Sequence, residues 1–241
     1  INVNGEYTQN NFSINNLELN FNENSQLKLS GLINLDNFLN SKLNIQGYDI
    51  PFEVFSQFLQ NINFLNSSNL PKGNLENFDI EYSDIIKINS LKYLTENGSE
   101  LDLQGSFNYI DFSNTDFVLN LNSSSSKDIS NFFQLIFPNL DSNLFNFDKL
   151  SLSSNIENKN VKIKELNLSK DETLIGVLGD FNLDNFSNRG LQIKINNFKD
   201  FGLIPNAKIR ELLNQLDISH FSMDGTVIDE EININSLDIF K

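Results

Sequence analysis

This chain of 241 residues has no cysteine and no tryptophan, and only one histidine, one methionine and four prolines. Without cysteine there is no disulfide framework, no thiolate zinc site and no Cys nucleophile, although the compartment is left open. The lone histidine, His220, has no second His or Cys to work with as base or metal ligand, and reads as a solvated or hydrogen-bonded structural residue. The GxSxG, HExxH, P-loop and GxGxxG patterns are all missing. So are the EF-hand spacing and the glycine-rich calcium nonapeptide. No cofactor and no metal are expected, and an enzyme is the weakest class. The longest apolar runs, such as Phe132 to Phe137, are far too short to span a bilayer, and no signal peptide is visible. Positive charge is also scarce: 17 Lys and Arg stand against 32 Asp and Glu, a net charge of −15 spread along the chain. Such a surface repels phosphate backbones, so nucleic acid is not an expected partner.

What is abundant is asparagine, with 42 copies, and phenylalanine, with 22. The phenylalanines supply enough apolar area for a real core. The pentapeptide NLDNF occurs at Asn34 to Phe38 and again at Asn182 to Phe186, 148 positions apart. In an asparagine-rich chain one match proves little, but others keep the same step. LKLSGLINLDNF, LDLQGSFNYIDF and IGVLGDFNLDNF place glycines at Gly31, Gly105 and Gly179, each 74 from the last, and phenylalanines at Phe38, Phe112 and Phe186. INNL, INSL, IKEL and INSL begin at Ile14, Ile88, Ile163 and Ile234. VNGEY near the start recurs as MDGTV, so that Val3 and Met223 are 220 apart, as are Ile14 and Ile234. A period of this kind marks a repeat architecture. The units run approximately 1–66, 67–140, 141–217 and a partial 218–241. The chain begins at Ile1 with both ends in strand-like pattern, and is expected to be one repeat-built segment of a longer protein.

Each unit reads as four strand-like runs and one helix-like run. In the third run the apolar parity holds Leu27, Leu29, Gly31, Ile33 and Leu35 in the first copy. The second copy has Leu101, Leu103, Gly105, Phe107 and Tyr109 there, and the third Ile175, Val177, Gly179, Phe181 and Leu183. The fourth run continues with Leu43 and Ile45, then Phe117, Leu119 and Leu121, then Leu191, Ile193 and Ile195. Period-2 alternation of this length is the mark of a strand with one apolar face. The other parity carries Asn, Lys, Asp, Gln and Ser. One dry face and one wet face favour an antiparallel meander over a parallel sheet buried on both sides. Recurring acids such as Asp36 and Asp184 fall where strand gives way to turn, and are expected to bond the local backbone.

Helical stripes follow each fourth run. Pro51 opens one with Phe52, Phe55, Phe58, Leu59 and Ile62. Ser126 is a candidate N-cap for Ile129, Phe132, Phe133 and Ile136. Pro205 opens a third with Ile209, Leu212, Leu213 and Leu216. Covering part of the sheet or capping its edge is their expected role; their polar faces lack the Lys and Arg of membrane-surface helices. The dry face itself has two readings. Its rows could fold on one another or under the helices as an ordinary core, or stay open as a trough for something greasy. One short helix per four strands is little cover, and a contiguous exposed apolar strip calls for a ligand or partner. The glycines on the apolar parity allow a bend, room for an acyl chain, or close approach of a helix.

The strand–turn motif around Gly31, Gly105 and Gly179, followed by a strand and a short amphipathic helix, resembles the AsmA-like proteins of Gram-negative bacteria, including their TamB relatives. The resemblance spans essentially the whole chain and rests on pattern, with no catalytic motif to carry over. It implies an extended, twisted antiparallel sheet curled into a hydrophobic groove, mainly β with short helices. It further implies a periplasmic segment of a protein anchored in the inner membrane by a helix outside this chain. The implied partner is phospholipid, its acyl chains carried along the groove toward the outer membrane, where a protein partner would sit. The groove residues would be the third- and fourth-run positions named above, with Leu119, Leu121, Ile193 and Ile195 among them. The competing class is a structural or adhesive β-repeat protein with its rows sealed and no lipid. A polysaccharide-acting enzyme would need paired carboxylates, and none stands out from the turns.

Overall fold

The computed structural model describes residues 2–37, 40–53, 72–108, 115–136, 147–182, 189–199, 208, 211, 215, 218–229 and 231–240. Its strands form one open antiparallel sheet in which each pairs with the next in chain order. The sheet begins with β1 (Asn2–Thr8), β2 (Asn11–Asn20), β3 (Gln26–Asn34) and β4 (Lys42–Pro51). It continues with β5 (Gly73–Tyr82), β6 (Ile85–Thr95), β7 (Glu100–Asn108) and β8 (Asp116–Ser123), followed by the helix α1 (Ser126–Ile136). Then come β9 (Lys149–Glu157), β10 (Asn160–Lys170), β11 (Thr173–Asn182), β12 (Arg189–Phe198), β13 (His220–Ile228) and β14 (Glu231–Phe240). By its contacts the chain divides into two compact units: Ile1–Asn120 with Ile156–Asn158, and Leu121–Asn155 with Lys159–Lys241.

Adjacent strands join through tight turns whose chemistry is local. Gln9, Asn158, Lys159, Asp171 and Asp229 all have positive φ between hairpin partners. Short hairpins need that left-handed geometry to match strand twist, and Asn and Asp tolerate it best. At the second turn of the first unit, Asn22 Oδ1 accepts from the amides of Asn24 and Ser25, at 2.8 and 2.7 Å.

The mainly β expectation holds, and the expected third and fourth runs are β3, β4, β7, β8, β11 and β12. Three details differ. Leu35 lies past the end of β3 in a bend, 55% exposed, so the apolar parity stops at Ile33. Pro51 closes β4 opposite Asn74 rather than opening a helix; helical backbone starts at Phe52, and residues 54–71 are outside the described set. In α1 the capping hydroxyl is that of Ser125, one residue before the expected Ser126: its Oγ accepts from the Asp128 amide at 3.3 Å. Asp128 then sits in the first turn, where a carboxylate complements the helix dipole. Ile129, at 0% exposure, and Phe132, at 6%, are buried. Of the stripe opened by Pro205, Lys208, Glu211 and Gln215 are helical, and its apolar positions lie outside the described residues, as do Phe38, Phe112, Phe186 and Asp184.

Candidate functional site: the apolar face of the sheet

Register decides which side chains share a face. In the first unit one row reads Leu17, Leu29, Ile45, Ile80, Ile88, Gly105 across β2 to β7. The row beside it reads Leu19, Leu27, Gly47, Phe78, Leu91, Leu103. In the second unit Leu166, Val177, Ile193, Gly225 and Ile234 form one row across β10 to β14. Leu168, Ile175, Ile195, Met223 and Leu237 form the next. Of the expected residues, Leu27, Leu29, Ile33, Leu101, Leu103, Leu119, Ile175, Val177, Phe181, Ile193 and Ile195 are half-buried, whereas Leu43, Ile45, Phe107 and Leu121 are buried. Tyr109 and Leu183 lie outside the described residues. These rows hold no charged residue, although Arg189 at the start of β12 stands opposite Phe181.

A recurring bulge aligns the rows. Along β2, Ile14 pairs with Gly31 but Leu17 pairs with Leu29, so three residues of β2 face two of β3. The same count recurs from Ile88 to Leu91 against Gly105 and Leu103, and from Ile163 to Leu166 against Gly179 and Val177. A fourth shift lies between Asp224 and Gly225 against β14, where Gly225 faces Ile234. The extra residue restores parity: Ile and Leu, three apart in sequence, both reach the dry face. The second strands are therefore part of that face, which reading only the third and fourth runs misses. The signal was present in INNL, INSL and IKEL, where strict alternation breaks between two apolar residues.

Opposite each of these isoleucines stands a glycine, and the three in β3, β7 and β11 adopt a conformation that L side chains rarely take. Gly31, Gly105 and Gly179 have φ of +128°, +146° and +129°. A Cβ on them would fall 2.1 Å from the Lys42 carbonyl oxygen, 1.9 Å from that of Asp116 and 2.0 Å from that of Gly190. The missing side chain makes room for the backbone of the next strand, not for a bound chain or a packed helix. Gly47 differs, because the Phe78 ring fills its space, with ring carbons 2.2–3.0 Å from where a Cβ would lie.

Part of the first unit's dry face is closed by its own side chains. Leu43, Ile45, Ile50, Leu75, Phe78 and Tyr93 form a buried cluster. Phe52, just past β4, lays its ring 5.1 Å from Tyr93. Ile86, Ile88 and Phe107 form another, with Phe117 at 5.3 Å from Phe107. Buried hydroxyls mark the strand starts: Ser25, Ser99 and Thr173 precede or open β3, β7 and β11. Ser99 donates its amide to Thr95 Oγ1 at 2.9 Å, and Thr173 Oγ1 donates to the Asn197 carbonyl at 2.8 Å. Their spacing is the glycine spacing, a signal available in the sequence and overlooked there.

The wet face is laced by cross-strand pairs. Lys28 faces Glu18 at 3.7 Å and Lys87 faces Glu81 at 3.2 Å, both in register. Asn89, the bulge residue of β6, donates to Glu81 Oε1 at 2.8 Å. With Lys87 it holds the Glu81 carboxyl below the usual carboxylate range. Glu76, 2.8 Å from Lys92, pushes that ammonium above its ordinary value. Asn235 plays the Asn89 part in β14, donating to Asp224 Oδ1 at 3.2 Å. The Ser219 hydroxyl lies 2.9 Å from His220 Nδ1, and the His220 ring stacks on Phe240 at 4.4 Å. Among the described residues no group of three or more His, Asp or Glu is placed to hold a metal ion, and no helix is long and apolar enough to cross a membrane.

No family model, curated protein or solved structure matches this chain.

Proposed function

We propose that the dry face is a lipid-carrying surface of the AsmA-like kind, with repeats of about 74 residues setting glycine against bulge along a hydrophobic groove. The observation that carries this reading is the state of the rows. Leu29, Leu103, Val177 and Ile193 are uncharged, in register with apolar neighbours, and still half-open to solvent. Acyl chains laid along them would gain about 0.8 kcal/mol per methylene buried, while headgroups stay in water at the rim. Rows without charge offer few sticking points, which suits movement better than tight storage. On this reading the chain is a non-enzymatic periplasmic segment of an inner-membrane-anchored protein, moving phospholipid toward the outer membrane.

A second reading has its own support. The sealed cluster of Leu43, Phe78 and Tyr93, with Phe52 against it, is what a scaffold with closed rows would have. Mass spectrometry of the purified protein, native and after solvent extraction, separates the two. Lipid carriage predicts several phospholipids per chain, lost in Leu103→Glu and Val177→Glu variants whose circular dichroism is unchanged. Half-buried positions are chosen because a charge at buried Phe107 would unfold the sheet on either reading. A folded, lipid-free protein would leave the scaffold.

A further inference from the structure

The wet face holds a depression of about 230 Å³ over the β6 bulge, inside the first compact unit. The bulge sets Asn89 and Ser90 against Gln104 alone, which spreads the ladder at this point. Asn77 of β5 and Asn120 of β8 complete the polar lining. Charge within it cancels: Lys92 stands opposite Asp102 in register, and its ammonium is held by Glu76 at 2.8 Å. What remains is uncharged. The side-chain amides of Asn77, Gln104 and Asn120 make no hydrogen bond to another described residue. Each offers donors and an acceptor side by side, which matches a pair of adjacent hydroxyls. One transverse row extends the site: Gln26, Tyr48, Asn77, Lys92 and Asp102 are successive register partners from β3 to β7. Tyr48 is 61% exposed there, two strands and so about 9–10 Å from Lys92. Abundant asparagine does not by itself make this site. At the same places 74 positions earlier and later, Asp102 and Gln104 become Lys28 and Ser30, then Gly176 and Leu178. Lys28 turns to Glu18 at 3.7 Å, and Leu178 is an exposed apolar residue.

We infer that this depression and Tyr48 together bind a neutral oligosaccharide, one sugar ring seated among the amides and the next lying on the Tyr48 ring. A sugar ring carries adjacent hydroxyls on its edge and apolar C–H groups on its face, and the amides and the tyrosine supply the complement of each. The depression is smaller than the roughly 300–1,000 Å³ of pockets for drug-sized ligands, which suits a single ring. Anionic sugars are disfavoured, because the one cation in the lining is already compensated by Glu76 and Asp102. The site lies on the face opposite the apolar rows, so it is independent of the lipid reading.

The probes are cellotriose and N,N′,N″-triacetylchitotriose, titrated into the full chain and followed by amide NMR. At least one should give saturable shifts confined to Tyr48, Ser90, Gln104 and the side-chain amides of Asn77 and Asn120. Affinity should fall at least tenfold in Tyr48→Ala and in Gln104→Ala, and hold in Tyr48→Phe and in Ser30→Ala, all of them substitutions at the surface that leave circular dichroism unchanged. Salt should have no effect, since no net charge is paired. Absence of a saturable shift with either probe overturns the assignment, as does equal affinity in Tyr48→Ala and Gln104→Ala. Binding that collapses with salt, or shifts that fall elsewhere on the chain, overturn it too.

Discussion

Two glycines three residues apart in β11 should respond in opposite directions to the same substitution. Gly176 has ordinary strand dihedrals, and a Cβ there would meet nothing closer than Asn167 Oδ1 at 3.5 Å and the Lys194 carbonyl oxygen at 3.9 Å. Gly176→Ala therefore removes backbone freedom from the unfolded chain without strain, and should stabilise by about 0.4–1 kcal/mol. Gly179 has φ of +129°, and its Cβ would lie 2.0 Å from the Gly190 carbonyl oxygen and 2.9 Å from Leu191 Cα. An alanine held in that conformation costs about 1–3 kcal/mol. Relieving the overlap means moving β12 away at the Gly179–Leu191 pair, which by analogy with overpacking adds about 1–3 kcal/mol. The expected gap between the two variants is thus about 2–7 kcal/mol, far outside the error of urea unfolding followed by circular dichroism. Both positions lie in one strand of one compact unit and report on the same transition. If Gly179→Ala proved no less stable than Gly176→Ala, the close approach of β12 would be refuted, and with it the account of why glycine recurs at this place.

Phe107, buried at 4% exposure against Ile86, Ile88 and Phe117, should lose about 3–5 kcal/mol of stability on replacement by alanine. Leu174, 50% exposed on the other face, should change by no more than about 0.5 kcal/mol, and equal losses at the two would mean that the faces are misassigned. Glu81 titrates low chiefly because Asn89 donates to it and secondarily because of Lys87. A carboxylate with a lowered folded pKa adds stability above its unfolded pKa and loses it as pH falls through the folded value, so its contribution disappears in the acid range. Asn89→Ala should move the Glu81 midpoint, read by carboxyl carbon NMR, back up toward the ordinary carboxylate value. An unmoved midpoint would leave Lys87 as the cause.

The strand pattern was legible because side-chain period in a strand is fixed at two, and Leu27, Leu29 and Ile33 fall on one parity with Lys28 and Ser30 on the other. What parity could not show was the bulge. At Ile14-Asn15-Asn16-Leu17 the sequence looks like a fault in the alternation, and only pairing with Gly31 and Leu29 reveals that both ends of the fault face the same way. That is why Leu17, Leu19, Ile88 and Leu91 escaped the candidate site although they share its rows. The glycines were visible, but their purpose was not. Their neighbours in space are backbone carbonyls from the next strand, and no side-chain pattern encodes those. The Ser125 cap was misplaced by one residue because four serines in a row, Ser123 to Ser126, offer equivalent hydroxyls, and only the bond to the Asp128 amide distinguishes them.

Pairing of bulge and glycine also answers a difficulty that this composition creates. The fourteen strands among the described residues, of similar length and drawn from Asn, Leu, Ile, Ser and Lys, could pair in many registers. A slip of one residue is costly wherever one face is dry, because it sends every apolar side chain into water. A slip of two keeps the faces and would be nearly silent in a uniform strand. Here it is not silent. Moving β3 by two residues against its neighbours puts Leu29 or Ile33 where Gly31 stands, with a branched side chain directed at the Lys42 carbonyl. The same slip sets Ile14 against a residue that cannot adopt φ near +128° without strain. One glycine and one extra residue thus specify a register that apolar patterning leaves degenerate. Because the device recurs at Gly105 and Gly179, each of these three hairpins is pinned locally and does not depend on the whole sheet having formed.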